Sequence, residues 1–206
     1  MNRLANNLIQ KGTLHSDDII RAFSEVNRAE FVPSELVSEA EIDIPLPIGH
    51  GQTISQPTTV AIMLELLDIK EGQNILDIGS GSGWTSALLA CVAGETGKVT
   101  ALERIPELCK MSEENFKKFD FLRKHPIDFQ CIDATDGFEK NAPYDRILVS
   151  AETKEIPDAF KDQLKIGGKM VIPINNSICY VEKKAENDLY LEEFPGFTFV
   201  PFVVKS

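Results

Sequence analysis

The sequence predicts an α/β protein whose core is a doubly wound, mostly parallel sheet with helices on both faces, and three observations predict it. Short apolar runs alternate along the chain with helix-period segments, the pattern of parallel strands joined by covering helices. The run Asn74-Ile75-Leu76-Asp77-Ile78 passes through a glycine-rich turn, Gly79-Ser80-Gly81-Ser82-Gly83, into an apolar segment from Trp84 to Ala93. This is the strand, turn and helix that open a βαβ unit. The unit closes on Lys98-Val99-Thr100-Ala101-Leu102-Glu103, a second apolar run that ends in an acid.

Leu4, Leu8 and Ile9 recur at helical spacing, and Ser16-Asp17-Asp18 offers a cap for a second helix through Ile19, Ile20, Phe23 and Val26. These two helices form an N-terminal appendage. Pro33, Pro45, Pro47 and Pro57, with Gly49 and Gly51, then enforce an irregular stretch that is neither continuous helix nor central strand. A helix resumes over Thr58 to Leu67, and another runs from about Pro106 to Phe119. Further strands are expected at Asp128 to Ile132, Arg146 to Ser150 and Gly168 to Ile174, with a helix at Pro157 to Leu164 between the last two. Ile178 to Lys183 and Thr198 to Val204 are assigned to an antiparallel edge. At 206 residues the chain suits one domain. Residues 1–57 supply helices and a capping segment, and residues 58–206 the core.

Composition narrows the function classes. The formal net charge of -11 opposes phosphate backbones, and no basic cluster offers a nucleic-acid footprint. No apolar run approaches the roughly 20 residues that span a bilayer, and the first residues lack a signal-peptide core, so a cytoplasmic protein is expected. A monomer is expected. Cys91, Cys109, Cys131 and Cys179 show no C-x-x-C spacing, which leaves buried reduced thiols as the simplest reading and indicates no metal site.

The glycine turn carries the first chemistry. Glycine tolerates positive φ and lets the backbone approach a ligand at a helix N-terminus. A dinucleotide fingerprint would read G-x-G-x-x-G, but its third place is Trp84, which opposes a nicotinamide oxidoreductase. Asp77-x-Gly79-x-Gly81-x-Gly83 instead resembles the first motif of the Rossmann-like S-adenosylmethionine methyltransferases. Glu103, at the end of the second strand, stands where open α/β sheets place an acid on ribose hydroxyls, and Arg104 follows it. By the same resemblance Asp133 would accept from the adenine amino group with Ala134 beside it, Ser80 belongs to the cofactor loop, and Asp77 holds that loop.

A second resemblance covers nearly the whole chain. Ile48-Gly49-His50-Gly51-Gln52-Thr53-Ile54-Ser55-Gln56-Pro57 resembles the G-x-G-Q-T-I-S-x-P signature of the protein-L-isoaspartate O-methyltransferases. Phe31-Val32-Pro33, Ala142-Pro143-Tyr144-Asp145 and Gly167-Gly168-Lys169-Met170-Val171-Ile172-Pro173 agree in the same order. The resemblance implies methyl transfer from S-adenosylmethionine, leaving S-adenosylhomocysteine, to the free carboxylate of an isoaspartyl residue in a damaged protein, with D-aspartyl residues as further acceptors. It implies that Ser55 is the active-site hydroxyl, that Thr53, Ile54 and Ser55 lie along the cofactor, and that Ser150 and Ala151 border the substrate. The chain departs from the family's pattern at Glu41-Ile42-Asp43-Ile44, at His50, at Ile132-Asp133-Ala134, and at Ala151-Glu152-Thr153. Glu41 and Glu152 are expected near the substrate entrance. A different carboxylate acceptor and a cofactor-binding protein without turnover are the competing readings.

Overall fold

The computed structural model describes residues 2–203. Helices α1 (Arg3–Gln10) and α2 (Asp17–Glu25) lead through two 3-10 turns, Arg28–Phe31 and Ser34–Glu39, to a small hairpin, β1 (Leu46–Gly49) with β2 (Gln52–Ile54). Then come α3 (Pro57–Leu67), β3 (Asn74–Ile78), α4 (Trp84–Ala93), β4 (Lys98–Glu103), α5 (Pro106–Phe116), β5 (Ile127–Cys131), β6 (Tyr144–Val149), α6 (Asp158–Gln163) and β7 (Leu164–Ile174). Strands β8 (Ser177–Ala185) and β9 (Asp188–Pro195) are the last regular elements among the described residues.

Seven strands form one sheet in the order β5-β4-β3-β6-β7-β8-β9. The first five are parallel, and β8 and β9 are added antiparallel. The strand order reverses between β3, which leads on to β4 and β5, and β6, which leads on to β7. In open α/β sheets that reversal opens a crevice beyond the carboxyl ends of the strands. Here the crevice falls between Gly79 after β3 and Ser150 after β6, whose amide donates to the Ile78 carbonyl at 2.9 Å.

Alternation along the strands makes two cores. Ile75, Val99 and Leu148 face a large cluster that includes Leu8, Phe23, Leu64 and Leu88, so the N-terminal helices share a core with α3 and α4. Leu76, Ile78, Ile147 and Val149 face the opposite side with Phe160. A period of two on strands buried on both faces gives this division.

Three expectations are corrected. Ser16 stands at the N-cap of α2 but makes no side-chain cap bond. Its hydroxyl donates to Glu65 of α3, whose carboxylate also accepts the amides of His15 and Ser16 at 2.8 and 2.9 Å. The last edge strand is Asp188–Pro195 rather than Thr198 to Val204. Its acids disguise the pattern, because an edge strand facing water needs no apolar alternation. The segment from Thr198 to Val203 instead makes one parallel bridge, Pro201 with Glu152, and Val204 lies outside the described residues. Finally, Cys109 and Cys131 are joined as a disulfide with Cα atoms 5.7 Å apart, whereas Cys91 and Cys179 are free and buried. Sequence spacing could not show that α5 and β5 bring two cysteines together.

Candidate active site

The crevice holds a cavity of about 310 Å³ whose walls come from six parts of the chain. They are the hairpin segment at Thr53-Ile54-Ser55, the glycine turn with the start of α4, the end of β4, Ile132 and Ala134 after β5, the end of β6 at Ser150-Ala151, and the tail at Val200 to Val203.

The glycine turn is shaped by positive φ at Gly79 (80°), Gly81 (54°) and Gly83 (89°). At Gly79 and Gly81 the backbone itself forms the wall. Gly83 has another task. A Cβ there would lie 2.9 Å from the Ser112 Cβ and 3.0 Å from its Cα, so only glycine lets α4 begin against α5. Close packing, the task of the third glycine in a dinucleotide fingerprint, has moved one position earlier. Trp84 is thereby freed to be a wall residue: its ring is 1% exposed, meets the Phe23 ring edge-on at 5.5 Å and borders the cavity.

Glu103 is 8% exposed and forms part of the wall. One carboxylate oxygen accepts the amides of Arg104 and Ile105 at 2.8 and 2.9 Å, and the other accepts the Gly81 amide at 3.0 Å. Three fixed N–H groups hold the carboxylate's orientation, and an ionised carboxylate has about four acceptor sites, so capacity remains for a ligand hydroxyl. Arg104 is exposed at the cavity's edge.

Asp77 is fully buried beneath the turn and is not on the wall. It accepts hydroxyl donors from Ser86 at 2.5 Å and Thr85 at 3.1 Å. Burial pushes its carboxyl up to about 6, the two hydroxyls oppose this, and the charge of Glu103 adds to it. It therefore ties the end of β3 to the first turn of α4, beneath the turn rather than at the cofactor-facing position the sequence resemblance implied.

Asp133 departs from expectation in its surroundings. Ile132 and Ala134 form the wall on either side of it, while its carboxylate accepts both the amide and the hydroxyl of Thr135. Of the two departures expected near the entrance, Glu41 is exposed and borders a separate hollow with Arg3 and Lys11. Glu152 is half-buried, and its backbone amide donates to Val200 while its carbonyl accepts from Phe202. Those two bonds hold the tail over the cavity. Sequence reasoning missed the tail's part in the site, because Val200 to Val203 carry no motif and reach the cavity only through β6's neighbour segment.

The residues fit a cofactor of the kind the glycine motif suggested. Among the described residues the Ser80 hydroxyl, buried at the wall, has no hydrogen-bond partner, and neither has Trp84 Nε1. Unsatisfied buried donors on a cavity wall are costly unless a ligand meets them.

The family model of the protein-L-isoaspartate(D-aspartate) O-methyltransferases matches residues 1–206. The chain belongs to that family. A protein-L-isoaspartate O-methyltransferase of Methanopyrus kandleri is 41% identical over 205 residues, covering 98% of this chain and 90% of the relative. One of Fervidobacterium nodosum is 41% identical over 189 residues, covering 90% and 94%. Among solved structures, a protein-L-isoaspartate O-methyltransferase from Plasmodium falciparum, crystallised with S-adenosyl-L-homocysteine, superposes with a TM-score of 0.86 at 27% identity, covering 97% of this chain and 96% of that one. Membership explains why a site with no His–Asp pair still belongs to an enzyme: carboxylate methylation calls for a positioned acceptor more than for a base.

Proposed function

We propose that this enzyme transfers the methyl group of S-adenosylmethionine to the free carboxylate of L-isoaspartyl residues in damaged proteins, giving an ester that collapses to a succinimide. The observation that carries the reading is that the Ser55 segment and the glycine turn with Glu103 face one cavity. When bound, the cofactor supplies an electrophilic methyl group on a sulfonium.

The chain's own residues supply the rest. Glu103, held by three amides, would accept from ribose hydroxyls. Gly79 and Gly81 let the backbone approach, the Ser80 hydroxyl offers a donor, and Ile132 and Ala134 flank the base. Thr53 and Ile54, on the hairpin side of the cavity, and Arg104, exposed at its edge, would border the cofactor. Ser55 would donate to the substrate carboxylate and orient it, and Ser150 and Ala151, on the same cavity wall, would border the substrate. A carboxylate with an ordinary pKa near 4 is already ionised at neutral pH, so no general base is required. Orientation and desolvation then do most of the work. The chain's net charge of -11 does not attract an acidic peptide, which places the recognition of the anion on local donors.

The test is incubation with methyl-labelled S-adenosylmethionine and two peptides that differ only in an isoaspartyl or a normal aspartyl linkage. Labelling of the isoaspartyl peptide alone, reduced in Ser55→Ala, is the expected result. Tight cofactor binding with neither peptide labelled would send the assignment to another acceptor.

A further inference from the structure

Arg28 is a cation within the core, 1% exposed. Its partners are backbone carbonyls rather than a carboxylate. One terminal nitrogen donates to Ala40 at 2.9 Å and Ile42 at 3.4 Å, and the other to Ile44 at 3.0 Å and Ser55 at 3.1 Å. The plane lies over the Trp84 ring, 5.2 Å from its centroid. Asp43, the acid whose charge acts on Arg28, is itself engaged by Lys11 and by both the amide and the hydroxyl of Thr58.

Filling space would favour an apolar side chain here, since burying a cation away from a carboxylate is costly. The chain retains the cation because the irregular stretch between Pro33 and Pro57 exposes carbonyls that no ladder satisfies, and such groups must find donors when buried. Arginine's planar fork reaches two diverging pairs of carbonyls at once, and the single ammonium of lysine does not. The Ser55 carbonyl is one of the four. Fixing that carbonyl fixes the peptide plane that follows Ser55 and hence where the backbone of Ser55, a residue of the cavity wall, sits. The same guanidinium rests on Trp84, a second wall residue.

We propose that Arg28 is a positioning residue for the acceptor side of the site: it aims the Ser55 hydroxyl by holding the Ser55 carbonyl, and it touches neither substrate nor cofactor. The proposal rests on the function proposed above and extends it to a residue outside the cavity.

The test compares wild type with Arg28→Lys, which keeps the charge but loses the fork, and with Arg28→Gln, which relieves the buried charge. Two readouts are taken. The first is amide hydrogen exchange over Gln52 to Gln56, with Ile75 to Ile78 as the internal reference. The second is kcat/KM for the isoaspartyl peptide beside calorimetric S-adenosylhomocysteine affinity. Expected in Arg28→Lys are exchange at least tenfold faster over Gln52 to Gln56 with β3 unchanged, kcat/KM at least tenfold lower, and cofactor-product affinity within about threefold of wild type. In an Arg28→Lys/Ser55→Ala double variant, the serine change should add little further loss, because an unaimed hydroxyl contributes little.

Wild-type exchange and kinetics in Arg28→Lys would overturn the proposal, as would equal losses of affinity, activity and β3 protection, or failure of both variants to fold, which would make the residue structural alone. A wild-type chain that leaves the peptide unmethylated fails the substrate reading by itself, and the exchange data still decide for or against Arg28.

Discussion

Glu103 accepts the backbone N–H of Gly81 at 3.0 Å, and that contact ties the carboxyl end of β4 to the glycine turn after β3. The acid proposed for the cofactor's ribose is thus also an anchor of the glycine turn. Glu103→Gln should weaken S-adenosylhomocysteine binding roughly 10- to 100-fold, since a hydrogen bond to a charged group contributes about 1.5–3 kcal/mol. Calorimetric titration checks it; unchanged affinity would place the ribose elsewhere.

Gly83 is required by packing as much as by φ. Its φ of 89° and the 2.9 Å approach of a hypothetical Cβ to Ser112 predict that Gly83→Ala costs about 2 to 4 kcal/mol, combining left-handed strain with overpacking. Urea unfolding measures this. Gly167, whose added Cβ would meet nothing within 4 Å, is the control.

Asp77 makes stability depend on pH. Its folded carboxyl is raised to about 6 from 3.8, chiefly by burial, so between those values the native state holds a proton that the unfolded chain has released. The slope of stability with pH is then negative: Asp77's contribution is fully present below about pH 4 and lost as pH rises through 6. Relative to Asp77→Asn, wild type should lose about 2 kcal/mol of unfolding free energy between pH 4 and pH 7. A difference independent of pH would mean that burial leaves the folded carboxyl at its ordinary value.

The cysteines give a direct chemical check. Cys91 is pushed up to about 12 by burial and the nearby Glu25 carboxylate, and Cys179 is raised by burial. Reaction needs the thiolate. A thiol reagent should therefore find no fast thiol in the native chain, two after unfolding without reductant, and four after unfolding with it. Four thiols without reductant would show that Cys109 and Cys131 are reduced.

The core elements were legible because each carries its own local signal. Strand β3, helix α4 and strand β4 begin and end where the sequence places them, since an apolar strand, a glycine turn and a helix are each specified within a few residues. Strand β9 was not, because Asp188 to Pro195 pairs on one side only and its exposed residues follow no alternation. The Ser16 cap failed for a related reason. A carboxylate from α3, distant in sequence, took the hydroxyl that local reasoning assigned to its own helix.

By itself the sequence determined the doubly wound sheet, the glycine turn with Glu103, and the Ser55 signature that marks the family, because those features depend on residue type at short spacing. Only the tertiary structure decided which residues close the site. The tail at Val200 to Val203 reaches the cavity through backbone bonds to Glu152, and backbone bonds leave no trace in side-chain pattern. It also decided that Arg28 holds the Ser55 carbonyl and that Cys109 meets Cys131, since both depend on chain packing that brings distant segments together. Local spacing sets which elements form, and burial across the whole chain sets which of their groups meet.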